Sequence, residues 1–504
     1  MNGNLFARLF DRLDDPSRLA IETADGQRIS YGELIARTGQ IANVLVARGV
    51  KVGDRVAAQT EKSVESLVLY LATVRAGAIY LPLNTAYTLN ELEYFIGDAE
   101  PALVVCDPAK AGGIALLAAK VGAGVETLDA AGKGTLTEAA KAADPTFQTV
   151  PRSDDDLAAI LYTSGTTGRS KGAMLSHDNL ASNSLTLVDY WRFTDKDVLI
   201  HALPIYHTHG LFVASNVALF ARASMIFLPK LDPELIIQLM ARATVLMGVP
   251  TFYTRLLQSP ALSKESTRHM RLFVSGSAPL LADTHREWAA RTGHAVLERY
   301  GMTETNMNTS NPYDGDRVPG AVGFSLPGVS LRVTDPETGK PVPTGGIGMI
   351  EVKGPNVFKG YWRMPEKTKA EFRDDGFFIT GDLGKIDDRG YVHIVGRGKD
   401  LVISGGFNVY PKEIESEIDA MPGVIEAAVI GVPHADFGEG VTAVVVREKG
   451  AELDEQTVLK GLDGKLAKFK MPKRVIFVDE LPRNAMGKVQ KNILRDSFAD
   501  IYKK

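Results

Sequence analysis

Apolar positions follow two patterns, a helical spacing and short continuous runs, and segments of the two kinds follow one another through the first part of the chain. Residues 31–48 and 65–76 carry apolar side chains three or four positions apart, which predicts helices. Short continuous apolar runs, which predict buried strands, lie at 54–58, 79–83, 197–200, 225–228, 245–247 and 272–274. Strands separated by helices of this length are typical of an α/β fold. We therefore expect a large domain of stacked, mostly parallel sheets with helices.

The pattern changes in the last third of the chain. Runs 348–354 and 390–395 resemble short strands set between turns that contain Gly and Asp. This texture predicts a small β-rich subdomain over about 320–396.

The last hundred or so residues form a further unit in this pattern. Helical spacing at 412–420 is followed by apolar runs at 425–432 and 441–446, which predicts a small α+β domain. We expect an N-terminal domain over 1–398 and a C-terminal domain over 399–504.

Composition limits the classes of function. The 504 residues exceed one ordinary domain core, and 45% hydrophobic and 23% charged residues are typical of a globular protein. A net charge of −4 gives no basis for nucleic-acid binding. No window approaches the roughly 18 uninterrupted apolar residues that span a bilayer, so we expect no membrane partner. The single cysteine, Cys106, excludes internal disulfides and fits a cytoplasmic location.

The stretch from Tyr162 to Gly172 carries the strongest chemical signal. Hydroxyl side chains alternate with glycines ahead of a lysine, at Thr163, Ser164, Gly165, Thr166, Thr167, Gly168 and Lys171. Glycines let backbone N–H groups approach an anion, hydroxyls donate further hydrogen bonds, and a lysine adds positive charge. The spacing differs from a Walker A loop, and an isolated cluster of this kind is more often a surface loop. Here it follows a predicted strand at 157–161 and so leaves a sheet edge, where α/β proteins place ligands, and the motifs further along the chain favour a polyphosphate site.

Further motifs follow in order. They are Tyr300-Gly-Met-Thr-Glu304, Tyr361-Trp362, Thr380-Gly-Asp382, Gly396-Arg-Gly-Lys-Asp400 and Pro482-Arg-Asn-Ala-Met-Gly-Lys488. With the Tyr162–Gly172 loop they resemble the core motifs of the adenylate-forming superfamily: acyl-CoA synthetases, peptide-synthetase adenylation domains and luciferases. The resemblance extends from Tyr31 to about Leu494. It implies an enzyme that activates a carboxylic acid with ATP and Mg²⁺ and passes it to coenzyme A.

The resemblance also implies roles for individual residues in ATP binding. Residues 163–171 would hold the phosphates, with Thr163 also catalytic, and Glu304 would hold Mg²⁺ and take part in catalysis, since a hard cation prefers oxygen ligands. The remaining nucleotide contacts would be Ser277, Ala278, Tyr300, Gly301, Thr303, Asp382, Arg397 and Lys488.

Two half-reactions follow from the same resemblance. Lys488 would contact the incoming carboxylate and the α-phosphate, and a lysine-modifying enzyme that acylated it would cancel its charge. The mobile C-terminal domain would then rotate about a hinge at Lys399. Coenzyme A would pass the segment Ser404, Gly405, Gly406 and Phe407. Basic residues at Lys468, Lys470, Lys473 and Arg474 would meet its phosphates or form a solvated face.

Arg255 indicates which acid is activated. Related enzymes for fatty or aromatic acids usually carry an apolar or small residue at this position. A guanidinium in an acyl pocket is costly without an anion, so a second substrate carboxylate is its expected partner. Ser277 and His207 would complete the recognition, whereas Arg286 is a weaker candidate that fits a solvent-facing position. The chain also resembles the malonyl-CoA synthetase group, which predicts malonate, with methylmalonate also fitting.

Two alternatives stay open at this point. The enzyme could ligate a short monocarboxylic acid, with Arg255 facing outward. It could also load the thiol of a separate carrier protein.

Overall fold

The structure is a computed structural model that describes residues 2–163, 170–404, 407–434, 436–466, 468–484 and 487–503. Its helices are α1 (Leu5–Phe10), α2 (Tyr31–Ala47), α3 (Val64–Arg75), α4 (Leu89–Ala99), α5 (Ala111–Ala119), α6 (Thr135–Lys141), α7 (His177–Tyr190), α8 (Asn216–Phe220), α9 (Pro233–Leu239), α10 (Pro250–Leu257), α11 (Ala282–Thr292), α12 (Pro365–Ala370), α13 (Pro411–Asp419), α14 (Glu455–Leu462) and α15 (Lys491–Ser497). A π-helix spans His209–Ser215.

The strands follow the same chain order. They are β1 (Leu19–Thr23), β2 (Arg28–Ser30), β3 (Arg55–Gln59), β4 (Ile79–Pro82), β5 (Leu103–Cys106), β6 (Gly124–Thr127), β7 (Leu157–Thr163), β8 (Lys171–Ser176), β9 (Val198–His201), β10 (Ser224–Phe227), β11 (Val245–Gly248), β12 (Leu272–Ser275), β13 (Leu297–Met302), β14 (Asn306–Ser310), β15 (Phe324–Ser325), β16 (Ser330–Thr334), β17 (Gly348–Lys353), β18 (Phe378–Ile386), β19 (Val392–Arg397), β20 (Val402–Ser404), β21 (Phe407–Val409), β22 (Val424–His434), β23 (Gly438–Arg447) and β24 (Arg474–Val478).

Two large sheets with helices between and around them form the main body. One has the order β15-β14-β13-β12-β11-β9-β10-β1-β2, and its central neighbours from β1 to β13 pair in parallel. The other has the order β6-β5-β3-β4-β7-β8 and is parallel except at the β7–β8 hairpin. Parallel sheets of this kind are covered on both faces, which explains the continuous apolar runs of their strands. The α/β fold class is confirmed.

Two smaller sheets follow. The antiparallel sheet β16-β17-β18-β19 corresponds to the predicted β-rich part of the chain. The last sheet contains β21-β20-β23-β22, with β24 pairing β23 in parallel, and it packs its own cores around Val429 and Val444. The proposed division after residue 398 stays a prediction, although the short turn Gly398–Asp400 does separate the last two sheets.

Helix starts in the main body are specified locally. Helices α2 and α4 begin with capping boxes, in which Ser30 pairs with Glu33 and Thr88 pairs with Glu91. Each box satisfies two backbone N–H groups that the first helical turn leaves unpaired. These signals explain why the predicted helix at 31–48 begins where the structure places it. Among the described residues, no helix is long and apolar enough to cross a membrane.

Candidate active site

A cavity of about 1170 Å³ opens where the main body meets the last sheet unit. Lining residues come from the β7–β8 hairpin, the β13 region, β18, the turn at 398–400 and the segment around Lys488. The cavity therefore collects motifs that are hundreds of positions apart in the sequence.

The predicted phosphate loop joins two paired strands. Thr163 ends β7 and faces Lys171, the first residue of β8, as antiparallel partners. Both residues line the cavity. The predicted phosphate ligands Ser164, Gly165, Thr166, Thr167 and Gly168 lie outside the described residues. The structure thus brings the two ends of the loop to the cavity.

Glu304 lies in the cavity beside a tyrosine. Its side chain is buried, and burial raises the pKa of its carboxyl. The Tyr361 hydroxyl lies 3.0 Å from Glu304 Oε1 and donates to Glu371 Oε2 at 2.6 Å. Glu371 in turn contacts Lys171, with 3.0 Å between Oε1 and Nζ. A buried carboxylate close to the lysine predicted to bind phosphate is a suitable oxygen ligand for Mg²⁺.

Asp382 and Tyr300, two predicted nucleotide contacts, are not lining residues of the cavity but adjoin it, next to the lining residues Gly381 and Gly301. The Asp382 carboxylate accepts a hydrogen bond of 2.6 Å from the Tyr300 hydroxyl and lies 3.1 Å from Arg397 Nε. The Asp382 charge raises the pKa of Arg397, and burial raises that of Tyr300. Position 301, which follows Tyr300, has room only for glycine, because an added Cβ would lie 1.8 Å from the Asn306 carbonyl oxygen.

Lys488 reaches the cavity from a hairpin of the last unit. Its backbone N–H donates to Asn484 Oδ1 at 3.0 Å, and Arg483 and Val489 on either side form an antiparallel β-bridge. The Lys488 side chain is exposed along the cavity, and partial removal of water from its ammonium group by the cavity walls lowers its pKa to about 8. The nearby charges of Asp382 and Glu304 favour the ammonium form, whereas those of Arg397 and Arg299 oppose it.

Two predicted acid-binding residues also line the cavity. His207 has its pKa lowered to about 4 by burial and by the Lys488 charge, so it is a neutral imidazole near pH 7. Ser277 has a φ of 72°, which places it in the left-handed region and costs about 1 kcal/mol for a residue with a Cβ. Its hydroxyl lies 3.2 Å from His209 Nδ1. Strain of this kind persists where the surroundings hold a side chain in a required position. Ala278, by contrast, is half-buried and is not a lining residue.

Arg299 lines the cavity as well, and sequence reasoning missed it. Its side chain is 3% exposed, and burial lowers its pKa to about 9. Within the described part of the chain, its Nε and Nη2 atoms have no hydrogen-bond partner, and no carboxylate forms an ion pair with it. Arg299 is part of the cavity lining, and a buried guanidinium without a partner is suited to an anionic ligand that reaches it. It directly precedes the Tyr300 motif, but the sequence does not reveal which way a strand side chain points.

Arg255 occupies a different position from the one predicted. It is exposed on α10 and is not a lining residue of the cavity. Thr251, one turn earlier, lies near Gly487, since an added Cβ at Gly487 would be 3.5 Å from Thr251 Cγ2. Residues four apart share a helix face, so Arg255 lies on the α10 face that borders the Lys488 hairpin. Its role in acid binding stays a prediction. Arg286 is exposed and pairs with Asp283.

Of the predicted coenzyme A residues, the two that the structure describes, Ser404 and Phe407, do not line the cavity. Ser404 is buried on β20 and Phe407 is exposed on β21, where its ring stacks on Phe469 at 4.7 Å. Gly405 and Gly406 lie outside the described residues. Lys399, the predicted hinge, lines the cavity at the turn between the last two sheets.

Three of the four basic residues considered for coenzyme A contact other side chains of this protein. Lys470 pairs with Glu413 and Arg474 pairs with Glu455, whereas Lys473 covers the ring of Phe437.

Comparisons with known proteins agree with this arrangement. The family model described as AMP-binding enzyme matches residues 13–362, and that of the AMP-binding enzyme C-terminal domain matches residues 413–488. The chain is 36% identical to a malonate–CoA ligase of Arabidopsis thaliana, over 95% of this chain and 86% of the relative. It is 82% identical to MatB from Rhodopseudomonas palustris, and its structure matches the ATP-bound crystal form with a TM-score of 0.99 over all of both chains.

The apo crystal form of the same MatB gives a lower score. Its TM-score is 0.87, at the same 82% identity and with both chains fully covered. The present structure therefore has the arrangement of parts seen in the ATP-bound relative, with Lys488 turned towards the cavity.

Proposed function

Since this chain belongs to the AMP-binding enzyme family, we propose that it is an AMP-forming acid–thiol ligase that joins malonate to coenzyme A. The reaction passes through malonyl-adenylate and releases pyrophosphate and then AMP. ATP, Mg²⁺ and coenzyme A are the compounds it requires. The identity with malonate–CoA ligases over nearly the whole chain supports this choice, and neither a short monocarboxylate nor a carrier-protein thiol is favoured.

Adenylation needs one malonate carboxylate to attack the α-phosphorus of ATP, although both reactants are anions. Lys488 supplies positive charge between them, because its ammonium group lies in the cavity near Asp382 and Glu304. Asp382, which only accepts hydrogen bonds when ionised, suits the ribose hydroxyls. Lys171 and the loop that it ends would hold the phosphates. Mg²⁺ bound with the nucleotide neutralises phosphate charge, and the buried Glu304 carboxylate is the group that would hold it.

The observation that carries the choice of a dicarboxylic acid is the buried Arg299 guanidinium with two unpaired donors. A second substrate carboxylate would satisfy it, and Ser277, His209 and His207 lie at the same end of the cavity. A monocarboxylate would leave the guanidinium unpaired. The site would therefore discriminate against a monocarboxylate, because a buried donor without a partner is unfavourable. Arg255, exposed beside the Lys488 hairpin, is a second candidate for contact with this carboxylate.

The second half-reaction needs a thiol to reach the adenylate. We infer that the C-terminal unit rotates about Lys399 and brings the segment 404–407 to the cavity in place of Lys488. The exposed Phe407 is consistent with a surface that becomes covered in a second arrangement. An enzyme that acylated Lys488 would remove its charge and stop adenylation. A cytoplasmic location fits the lone buried Cys106.

Pyrophosphate release with ATP, Mg²⁺ and coenzyme A tests the proposal. Acetate, butyrate, malonate, methylmalonate and succinate should be compared at equal concentration. We expect strong preference for malonate, with methylmalonate accepted because one methyl group is worth only about 1–3 kcal/mol of discrimination. Faster turnover of acetate or butyrate would contradict the dicarboxylate assignment and leave the adenylation chemistry in place.

A further inference from the structure

Glu371 contacts three polar side chains at the phosphate end of the cavity. Its Oε1 atom lies 3.0 Å from Lys171 Nζ and 2.9 Å from Lys367 Nζ, and its Oε2 atom accepts the Tyr361 hydroxyl at 2.6 Å. Burial opposes ionisation, but these hydrogen bonds from Tyr361, Lys367 and Lys171 together keep its pKa below the usual value. Glu371 is therefore an anion near neutral pH, located where the proposed function puts the ATP phosphates.

The segment that begins at Tyr361 and leads to Glu371 is hydrogen-bonded to the β7–β8 hairpin. Trp362 donates its backbone N–H to the Gly172 carbonyl at 2.7 Å, and Ala173 pairs with Tyr361 as a β-bridge. Lys171 Nζ lies 4.0 Å from the centre of the Tyr361 ring. Lys171 is thus held from two sides, by an aromatic face and by a carboxylate.

The hydroxyl of Tyr361 links this group to the metal-binding carboxylate. A phenol has one hydrogen, so Glu371 Oε2 at 2.6 Å and Glu304 Oε1 at 3.0 Å compete for it as acceptors. Glu371, at the shorter distance, is the stronger of the two acceptors.

We propose that Glu371 is a positioning residue of the phosphate site, which holds Lys171 before ATP arrives and competes with ATP and pyrophosphate for that lysine. This inference rests on the proposed function, in which Lys171 contacts the β- and γ-phosphates. Two anions that contact one ammonium group lie within a few ångströms of each other and repel. Glu371 therefore weakens polyphosphate binding and favours the departure of pyrophosphate after adenylation.

Glu371→Gln tests the proposal by the direction in which the Kd of pyrophosphate changes. Gln keeps an acceptor for Tyr361 and removes the charge, so we expect the Kd of inorganic pyrophosphate with Mg²⁺, measured by calorimetry, to fall about three- to tenfold. The KM for ATP should fall in parallel, while the KM for malonate should not change. Glu366→Gln, on the exposed side of α12, is the matched control and should leave the pyrophosphate Kd unchanged.

Lys367→Met should act in the opposite direction. It removes one of the two ammonium groups on Glu371, so that Glu371 holds Lys171 more firmly and the pyrophosphate Kd rises. In the Glu371→Gln background the same change should have no effect. An effect of equal size in both backgrounds would mean that Lys367 acts on the phosphates directly, and would overturn the inference.

The remaining outcomes are also decisive. Weaker pyrophosphate binding in Glu371→Gln would show that the carboxylate supports the phosphate site rather than competing with it, and would overturn the proposal. Lys171→Met should weaken pyrophosphate binding; if it does not, the phosphate role of Lys171 is wrong and the inference fails with it. Neither result depends on the acid preference, which the pyrophosphate-release comparison tests separately.

Discussion

Charged groups in and beside the cavity divide into those that already have partners and those that do not. Asp382 is paired with Arg397, and Lys171 with Glu371, whereas the Arg299 guanidinium has two free donors in the described structure. A buried charge without a partner destabilises the fold, so its presence in a cavity indicates a ligand that completes it.

Arg299→Met should separate activity from stability. Loss of the charge-assisted contact, worth about 1.5–3 kcal/mol, should lower kcat/KM for malonate roughly 10- to 100-fold. The melting temperature should stay the same or rise, because an unpaired buried charge is removed. Pyrophosphate release and thermal unfolding measure the two effects.

Arg255→Met is the matched comparison. If the exposed arginine also lowers malonate use, both guanidinium groups contact the substrate. If only Arg255→Met does so, the assignment of the second carboxylate to Arg299 is wrong.

We expect Lys488 to make adenylation dependent on pH. Desolvation by the cavity walls lowers its pKa to about 8, and in the proposed function the ammonium form neutralises charge between the reactants. The active form therefore predominates below pH 8, and kcat/KM for pyrophosphate release should fall as the pH rises through about 8.

Lys488→Arg is the control for this pH profile. A guanidinium remains charged throughout this range, so whatever activity the variant retains should not fall near pH 8. A profile with the same basic limb in both proteins would assign that limb to another group.

At the scale of elements, the site depends on close packing at the β13–β14 turn. An added Cβ at Gly301 would lie 1.8 Å from the Asn306 carbonyl oxygen, which is part of the backbone and cannot simply rotate away. Gly301→Ala should therefore destabilise the protein by about 1–3 kcal/mol, measured by denaturant unfolding, and should also lower activity because Tyr300 and Thr303 move.

Gly97→Ala provides the contrast within the same fold. Gly97 lies within α4, and an added Cβ there meets nothing within 4 Å. Alanine should stabilise the helix by about 0.5–1 kcal/mol. Equal effects of the two substitutions would show that space at Gly301 is not limiting.

For the whole molecule, the proposed function requires that the position of the C-terminal unit decides which half-reaction can occur. Gly487 and Thr251 lie on opposite sides of the contact between this unit and α10, and an added Cβ at Gly487 would be 3.5 Å from Thr251 Cγ2. Introduced cysteines can therefore be tested for a disulfide there, with some backbone strain at position 487, where φ is 73°. We expect oxidised Thr251→Cys/Gly487→Cys to retain adenylation and to lose thioester formation, because the unit can no longer rotate.

Reduction with dithiothreitol supplies the internal control for the crosslink. It should restore thioester formation, and Cys106 is buried and therefore a poor competitor for the introduced thiols. Rapid thioester formation in the oxidised protein would contradict a requirement for rotation.

Much of this molecule could be predicted without coordinates. Apolar spacing located the helix at Tyr31–Ala47 and the strand at Leu272–Ser275 to within a residue or two, because periodicity reflects which faces are buried. The order of the Gly-rich loop, the Tyr300 motif and the Thr380 motif indicated the family, and the AMP-binding family models confirm it.

Tertiary structure decided what depends on side-chain direction and on neighbours far away in the chain. Arg299 and Glu371 carry no local signal, since their roles come from the cavity that one lines and from the lysines around the other. Arg255 gives the converse case. The sequence singled it out as an arginine at a position expected in the acyl pocket, but its side chain is exposed. Spacing along a chain determines which residues share a face, whereas burial and charge pairing are fixed only when sheets and domains meet.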